Sequence, residues 1–252
     1  MKKTMNPIVK TVIIILSICL LSGLAFVSYF YIQKGKAYLN SIDFTLNKVT
    51  NINPNVSLAD QSYDGVSQVM RVAPKGSRQN KPNFTATEIK SQSGLILSPL
   101  DALGRVGTAT VTLSKQTLPK KAQKATDWQA TGETGSQALQ HNYLISPMLY
   151  NSANDRRNQV TTTNALQKPY KVKFEKGIKD YLESTNHHVV YRVIPIFKGN
   201  ELLARGLQIE AQSVEDQQIK FNVYILNIQG YQQIDYQTGS IVENGNQGAN
   251  AA

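Results

Sequence analysis

Residues 11–32 (TVIIILSICLLSGLAFVSYFYI) carry no charged side chain. The run is as long as a helix must be to cross a bilayer, where backbone amides have to be satisfied within the segment itself. Leu39, Ile42, Leu46 and Val49 follow at helical spacing and extend the predicted helix outward by a few turns. The pattern then breaks. Residues 51–82 are rich in Asn, Ser, Gly and Pro without apolar periodicity, and read as a linker or loosely packed stalk. Phe174, Ile178, Tyr181 and Leu182 mark one face of a helix that ends before Asn186. Residues 189–197, 202–212 and 219–228 are rich in β-branched and aromatic side chains. With Lys198-Gly199-Asn200 and Glu215-Asp216 as turns between them, they predict an antiparallel meander. Short strands, a helix and then a meander define an α+β fold with an antiparallel sheet.

This pattern divides the chain into an arm (1–10), a membrane helix (11–33), a juxtamembrane helix and linker (34–83), a compact domain (84–240) and a tail expected to be disordered (241–252). Since the linker offers no periodic apolar face, residues 84–240 are expected to fold alone.

Charge sets the orientation. Lys2, Lys3 and Lys10 precede the apolar run, so the positive-inside tendency puts the arm in the cytoplasm and the C-terminal domain outside, although Lys34 and Lys36 add charge on the far side. A cleaved signal peptide is the competing reading, but the run exceeds an ordinary h-region and no small-x-small site follows it. Cys19, the single cysteine, has apolar residues continuing after it. It reads as a buried membrane residue, and the external domain has no disulfide. The formal net charge is +10, of which five units belong to the lysines flanking the membrane run, leaving +5 for the rest. That modest excess is compatible with a polyanionic partner such as nucleic acid or cell-wall polymer.

Leu100-Asp101-Ala102-Leu103-Gly104-Arg105-Val106-Gly107-Thr108-Ala109 resembles a segment of the bacterial DNA/RNA non-specific endonucleases, a family that includes membrane-anchored DNA-uptake nucleases and streptodornases. Val190-Tyr191-Arg192-Val193-Ile194-Pro195, Lys198-Gly199-Asn200-Glu201-Leu202, Ala204-Arg205-Gly206, Glu210-Ala211, Ser213-Val214-Glu215-Asp216 and Phe221-Asn222-Val223-Tyr224 are similar to that family's closing strands, in order. The resemblance runs from about Phe84 to Gly239. It implies a ββα-metal site, with a histidine general base on a strand, an asparagine ligand for one Mg²⁺, a glutamate that orients the metal's water shell and arginines that neutralise phosphate.

The chain departs from that pattern at its centre. Gln140-His141-Asn142-Tyr143-Leu144-Ile145-Ser146 aligns with the family's base strand and places Tyr143 where the histidine belongs. A phenol of ordinary pKa near 10 is ionised in about one molecule in a thousand at pH 7. Gln167 falls at the metal-ligand position, one methylene longer than asparagine, whereas Glu175 matches the supporting glutamate and Arg105 the arginine. His141, two residues before Tyr143 on the same strand face, is the candidate substitute base, or else a phosphate-binding or structural residue in the arginine's place. Asp155-Arg156-Arg157-Asn158 reads as solvated loop charge, and His187-His188 as structural histidines at the start of a strand.

Lys168, Lys171, Lys173, Lys176 and Lys179 bracket the Glu175 helix. Together with Arg156 and Arg157, the first four are the candidate nucleic-acid contacts, either phosphate-binding or a merely solvated face. Trp128 and Tyr170 are candidates for base stacking or for packing.

The leading expectation is a surface-anchored pseudo-nuclease that binds DNA or RNA without sequence preference and without efficient hydrolysis. Two others stand beside it. One is an active, Mg²⁺-dependent non-specific endonuclease with a rearranged site, and the other is a non-catalytic subunit that pairs with a protein partner in a nuclease or DNA-uptake complex.

Overall fold

A computed structural model of the protein describes residues 17, 20–26, 29, 49–73, 81–91, 93–121, 128–216, 218–230 and 232–242. The arm 1–10, most of the apolar segment 11–33, residues 34–48 and the tail beyond Val242 lie outside these described residues. Among the described residues no helix is long and apolar enough to cross a membrane. Residues 20–26 are helical, with Leu20, Leu21, Leu24 and Phe26 exposed.

The centre of the domain is a seven-stranded sheet built from β1 (Thr50–Asn51), β2 (Val69–Arg71), β3 (Ile96–Leu97), β4 (Ala109–Leu113), β7 (Val189–Ile196), β8 (Gly206–Ser213) and β9 (Lys220–Leu226), in the order β1-β2-β9-β8-β7-β4-β3. Every pairing is antiparallel except β1 with β2. The predicted meander is β7-β8-β9, in register through Tyr191↔Ala211 and Ala211↔Phe221. The middle strand starts later than its apolar content suggests. Residues 202–205 form a loop that returns Arg205 N–H to the Ile196 carbonyl, and regular pairing begins at Gly206. Period-two alternation sends Val189, Tyr191, Val193, Ile209, Ala211, Phe221 and Val223 to one face. There Phe174, Ile178, Tyr181 and Leu182 of the helix α2 (Val172–Ser184) close the core, with the Phe174 and Phe221 rings 4.8 Å apart.

The opposite face carries two coverings. Met70, Tyr224 and Leu226 form a smaller apolar cluster, against which Ile52, Leu58 and Val72 pack. Beside it Glu210, almost fully buried, takes hydrogen bonds from Arg192 (3.2 Å), Asn222 (2.8 Å) and the Asn83 backbone (2.9 Å). Arg192 also pairs with Glu88 of the short helix α1 (Ala86–Lys90) and lies over the Phe84 ring. A buried carboxylate of this kind is tolerable only with such a set of donors.

These coverings correct two boundaries. The segment expected to be a loose linker contributes β1 and β2, and its Val69 is fully buried opposite Ile225. Among the described residues, packing against the sheet therefore already begins at Val49, upstream of residue 84. The domain's far end is β10 (Gln233–Asp235) paired with β11 (Ser240–Val242), which enters the segment expected to be tail.

Candidate functional site

Two further strands stand apart from the main sheet. β5 (Leu139–Tyr143) and β6 (Gln159–Thr163) pair antiparallel, and the chain then passes through a π-helical turn (Leu166–Lys171) into α2. This is the ββα order that the resemblance implies. Across the ribbon, His141 stands opposite Thr161 and Tyr143 opposite Gln159, so both candidate bases share one face. Their rings meet edge-on, with centroids 5.8 Å apart.

Tyr143 is half-buried, and that burial pushes its phenol pKa above the ordinary value of 10. Partial burial disfavours the phenolate, so at neutral pH an even smaller fraction of Tyr143 is ionised than of free tyrosine. His141 has a carboxylate beside it: Nδ1 lies 3.3 Å from Glu133 Oε2. A carboxylate so placed can fix the tautomer of an imidazole that acts as base. Nε2 is buried and has no hydrogen-bond partner within the protein. Glu133 carried no sequence signal, being eight residues upstream in an irregular segment.

The expected metal position and the expected supporting glutamate lie in different surroundings. Gln167 lines an open cleft of ≈ 470 Å³ with Gln140, Asn164, Lys168 and Gln229, and its Oε1 is buried there without a partner. Glu175 is fully buried in the core. Its Oε1 accepts from Lys171 Nζ at 2.5 Å, from the Ser146 backbone N–H at 3.1 Å and from Tyr191 O–H at 3.4 Å. Burial raises the Glu175 pKa, and the Lys171 charge together with these donors opposes the rise. Tyr191 is pushed well upward by its own burial and by the adjacent carboxylate, so it remains a donor.

A Mg²⁺ site needs convergent oxygen ligands and room for water. Here Gln167 lines a cleft but its amide oxygen is buried, while the Glu175 carboxylate lies in the interior against an ammonium. Among the described residues no group of three or more His, Cys, Asp or Glu could hold a metal ion. The donor set does not fit the family's metal.

The remaining candidates separate. Lys171, grouped with the nucleic-acid contacts by charge alone, is fully buried and cannot reach a phosphate outside. Lys168, Lys176, Arg156 and Arg157 are exposed and Lys173 is half-exposed. Lys176 pairs with Asp180 at 3.0 Å, and Arg157 with Asp155 at 2.7 Å. Arg105 does not point toward an open phosphate position. Nε holds Asp101 at 2.7 Å, while Nη1 donates to the Gly199 and Glu201 carbonyls at 2.7 and 3.0 Å, and the guanidinium covers the Phe197 ring. It fastens the loop after β7. His187 and His188 contact Asp216 at 3.1 Å and Glu215 at 2.7 Å where β7 begins, a structural arrangement. Tyr170 packs against the main core, and Trp128 is half-buried.

A profile of the family described as DNA/RNA non-specific endonuclease matches residues 86–215. No curated protein sequence matches the chain. Among solved structures, NucA from Streptococcus agalactiae with magnesium bound is similar at 24% identity and TM-score 0.57, covering 66% of this chain and 84% of that one. The same protein without metal gives TM-score 0.56 at the same identity and coverage. Sda1 nuclease with bound zinc is similar at 22% identity and TM-score 0.54, over 60% of this chain and 81% of that one. At these identities the likeness concerns the fold.

Proposed function

Since the chain belongs to the DNA/RNA non-specific endonuclease family, we propose that it is a nuclease-fold protein held at the outer face of the cell membrane by residues 11–33. In this reading it binds DNA or RNA without sequence preference and does not hydrolyse it efficiently. The observation that carries the reading is Tyr143 at the base position, with burial holding its phenol further from ionisation than free tyrosine. General-base catalysis is worth roughly 10²- to 10⁴-fold, so a neutral phenol alone would reduce cleavage to near background. Lys168, Lys173, Lys176, Arg156 and Arg157 supply surface charge for a phosphate backbone, while the cleft around Gln167 holds amides that can meet sugar or base edges.

The test is a nuclease zymogram of the full-length protein in detergent, with Mg²⁺ and with Mn²⁺, beside an electrophoretic shift at low salt. We expect a shift without clearing. Metal-dependent cleavage abolished by His141→Ala would establish instead the active enzyme rebuilt around the Glu133–His141 pair. Neither a shift nor clearing would favour the non-catalytic subunit that acts through a protein partner.

A further inference from the structure

Lys171 is a lysine with no exposed surface, and its ammonium lies 2.5 Å from the fully buried Glu175. Two observations distinguish this from an ordinary i,i+4 helix pair. First, ordinary pairs lie on the surface, as Lys176–Asp180 and Lys179–Glu183 do on the same helix, with lysine side chains 52% and 38% exposed. Second, the partner carboxylate is shared with two elements that the helix must hold in place. Its Oε1 also binds the Ser146 N–H, just beyond the strand that carries Tyr143, and the Tyr191 O–H in the middle of the sheet. An anion in that position needs a neighbouring cation, because an uncompensated buried carboxylate is severely destabilising.

We infer that the Lys171 ammonium stands in for a divalent cation at Glu175, so that this ββα unit holds together without metal. The inference rests on the reading above that Glu175 descends from the supporting glutamate of a metal centre. The ammonium delivers one fixed positive charge, so Glu175 can tie β5, α2 and β7 together whether or not Mg²⁺ is present. It also places a positive charge beside the one carboxylate that an incoming ion would need.

Thermal unfolding of the full-length protein in detergent tests this, with EDTA, Mg²⁺ or Mn²⁺ as the only variable. The natural protein is expected to melt at one Tm in all three. Lys171→Ala should melt on the order of 10 °C lower in EDTA and recover part of that loss when Mn²⁺ or Mg²⁺ is added. A metal-dependent rise in the natural protein overturns the inference, and so does a folded Lys171→Ala protein that ignores metal. If Lys171→Ala does not fold, Lys171→Met with Glu175→Gln decides: a folded, metal-indifferent protein supports the inference, and a metal-stabilised one refutes it. Failure here is distinguishable from failure of the proposed function. A metal-indifferent protein that cleaves DNA in EDTA would retain the resident ammonium and remove the pseudo-nuclease reading, and a metal-stabilised protein that cleaves nothing would do the reverse.

Discussion

At the residue scale, the proposed catalytic loss rests on two side chains whose deficits are different in kind. Tyr143 is held in its neutral phenol form, and the amide oxygen of Gln167, which lines a cleft, is buried without a partner. Groups that act as one unit respond non-additively when they are restored. Tyr143→His and Gln167→Asn are therefore each expected to leave plasmid nicking near background, while the double variant exceeds the product of the two. Recovery should be partial, since Lys171 still holds Glu175 in that variant. Equal activity of the three variants would contradict this. The placing of Tyr143 and Gln167 at the family's base and ligand positions is an expectation that rests on their flanking residues. The fate of Lys171 was not legible in the sequence. Its spacing from Glu175 is that of any solvated pair, and only tertiary packing, which brings Ser146 and Tyr191 from outside the helix, removes it from water.

Asp216 allows a prediction of pH dependence. Burial raises its pKa, but hydrogen bonds from Gln218 N–H, Ser213 and Tyr181, with the His187 charge, outweigh that and hold it below the ordinary 3.8. A carboxylate with a depressed native pKa adds stability that is fully present above the unfolded value and lost as pH falls through the native one. Unfolding free energy should thus decline below about pH 4, and Asp216→Asn should flatten that decline. An unchanged acid limb in urea titrations of the variant would count against it.

Among the elements, the meander and α2 announce themselves by period two and period 3.6 over seven or more residues. β2 could not. It has three residues, Val69, Met70 and Arg71, in a segment whose composition is that of a linker, and it is a strand only because β9 offers a partner. Its two apolar side chains enter opposite clusters, Val69 the main core and Met70 the smaller one. The earlier expectation that residues 84–240 suffice is accordingly revised. A form starting at residue 84 exposes the β9 edge and uncovers Tyr224 and Leu226, whereas one spanning residues 49–242 keeps both clusters. We expect the longer form to be monomeric with a cooperative melt, and the shorter to be less stable by several kcal/mol and prone to association. Size-exclusion chromatography and circular dichroism would decide it, and identical melts would refute the role given to β2.

For the whole molecule, the distribution of charge matters more than its total of +10. With Lys171 internal, the proposed nucleic-acid surface has one cation fewer than the sequence suggested, and Arg105 is occupied by Asp101 and two carbonyls. Binding through Lys168, Lys173, Lys176, Arg156 and Arg157 should weaken steeply with salt, because each neutralised phosphate releases counterion. Changing any one of them to alanine is expected to lower the slope of log affinity against log salt by about one, alike for DNA and RNA. A slope unaffected by removing all five would place the nucleic acid elsewhere. Fold class and family were readable from ordered motifs, since those residues build the meander. The depth of the domain was not, because its second face is covered by pieces too short to carry periodicity.

Both borders of the seven-stranded sheet are strands of two residues, β1 and β3, although Ile96 in β3 is 57% exposed. A border that brief offers too few unpaired amides to template a neighbour's backbone. The main sheet therefore lends neighbouring copies no long seam along which to zip into a continuous sheet, and an apolar residue can remain in the open at its rim.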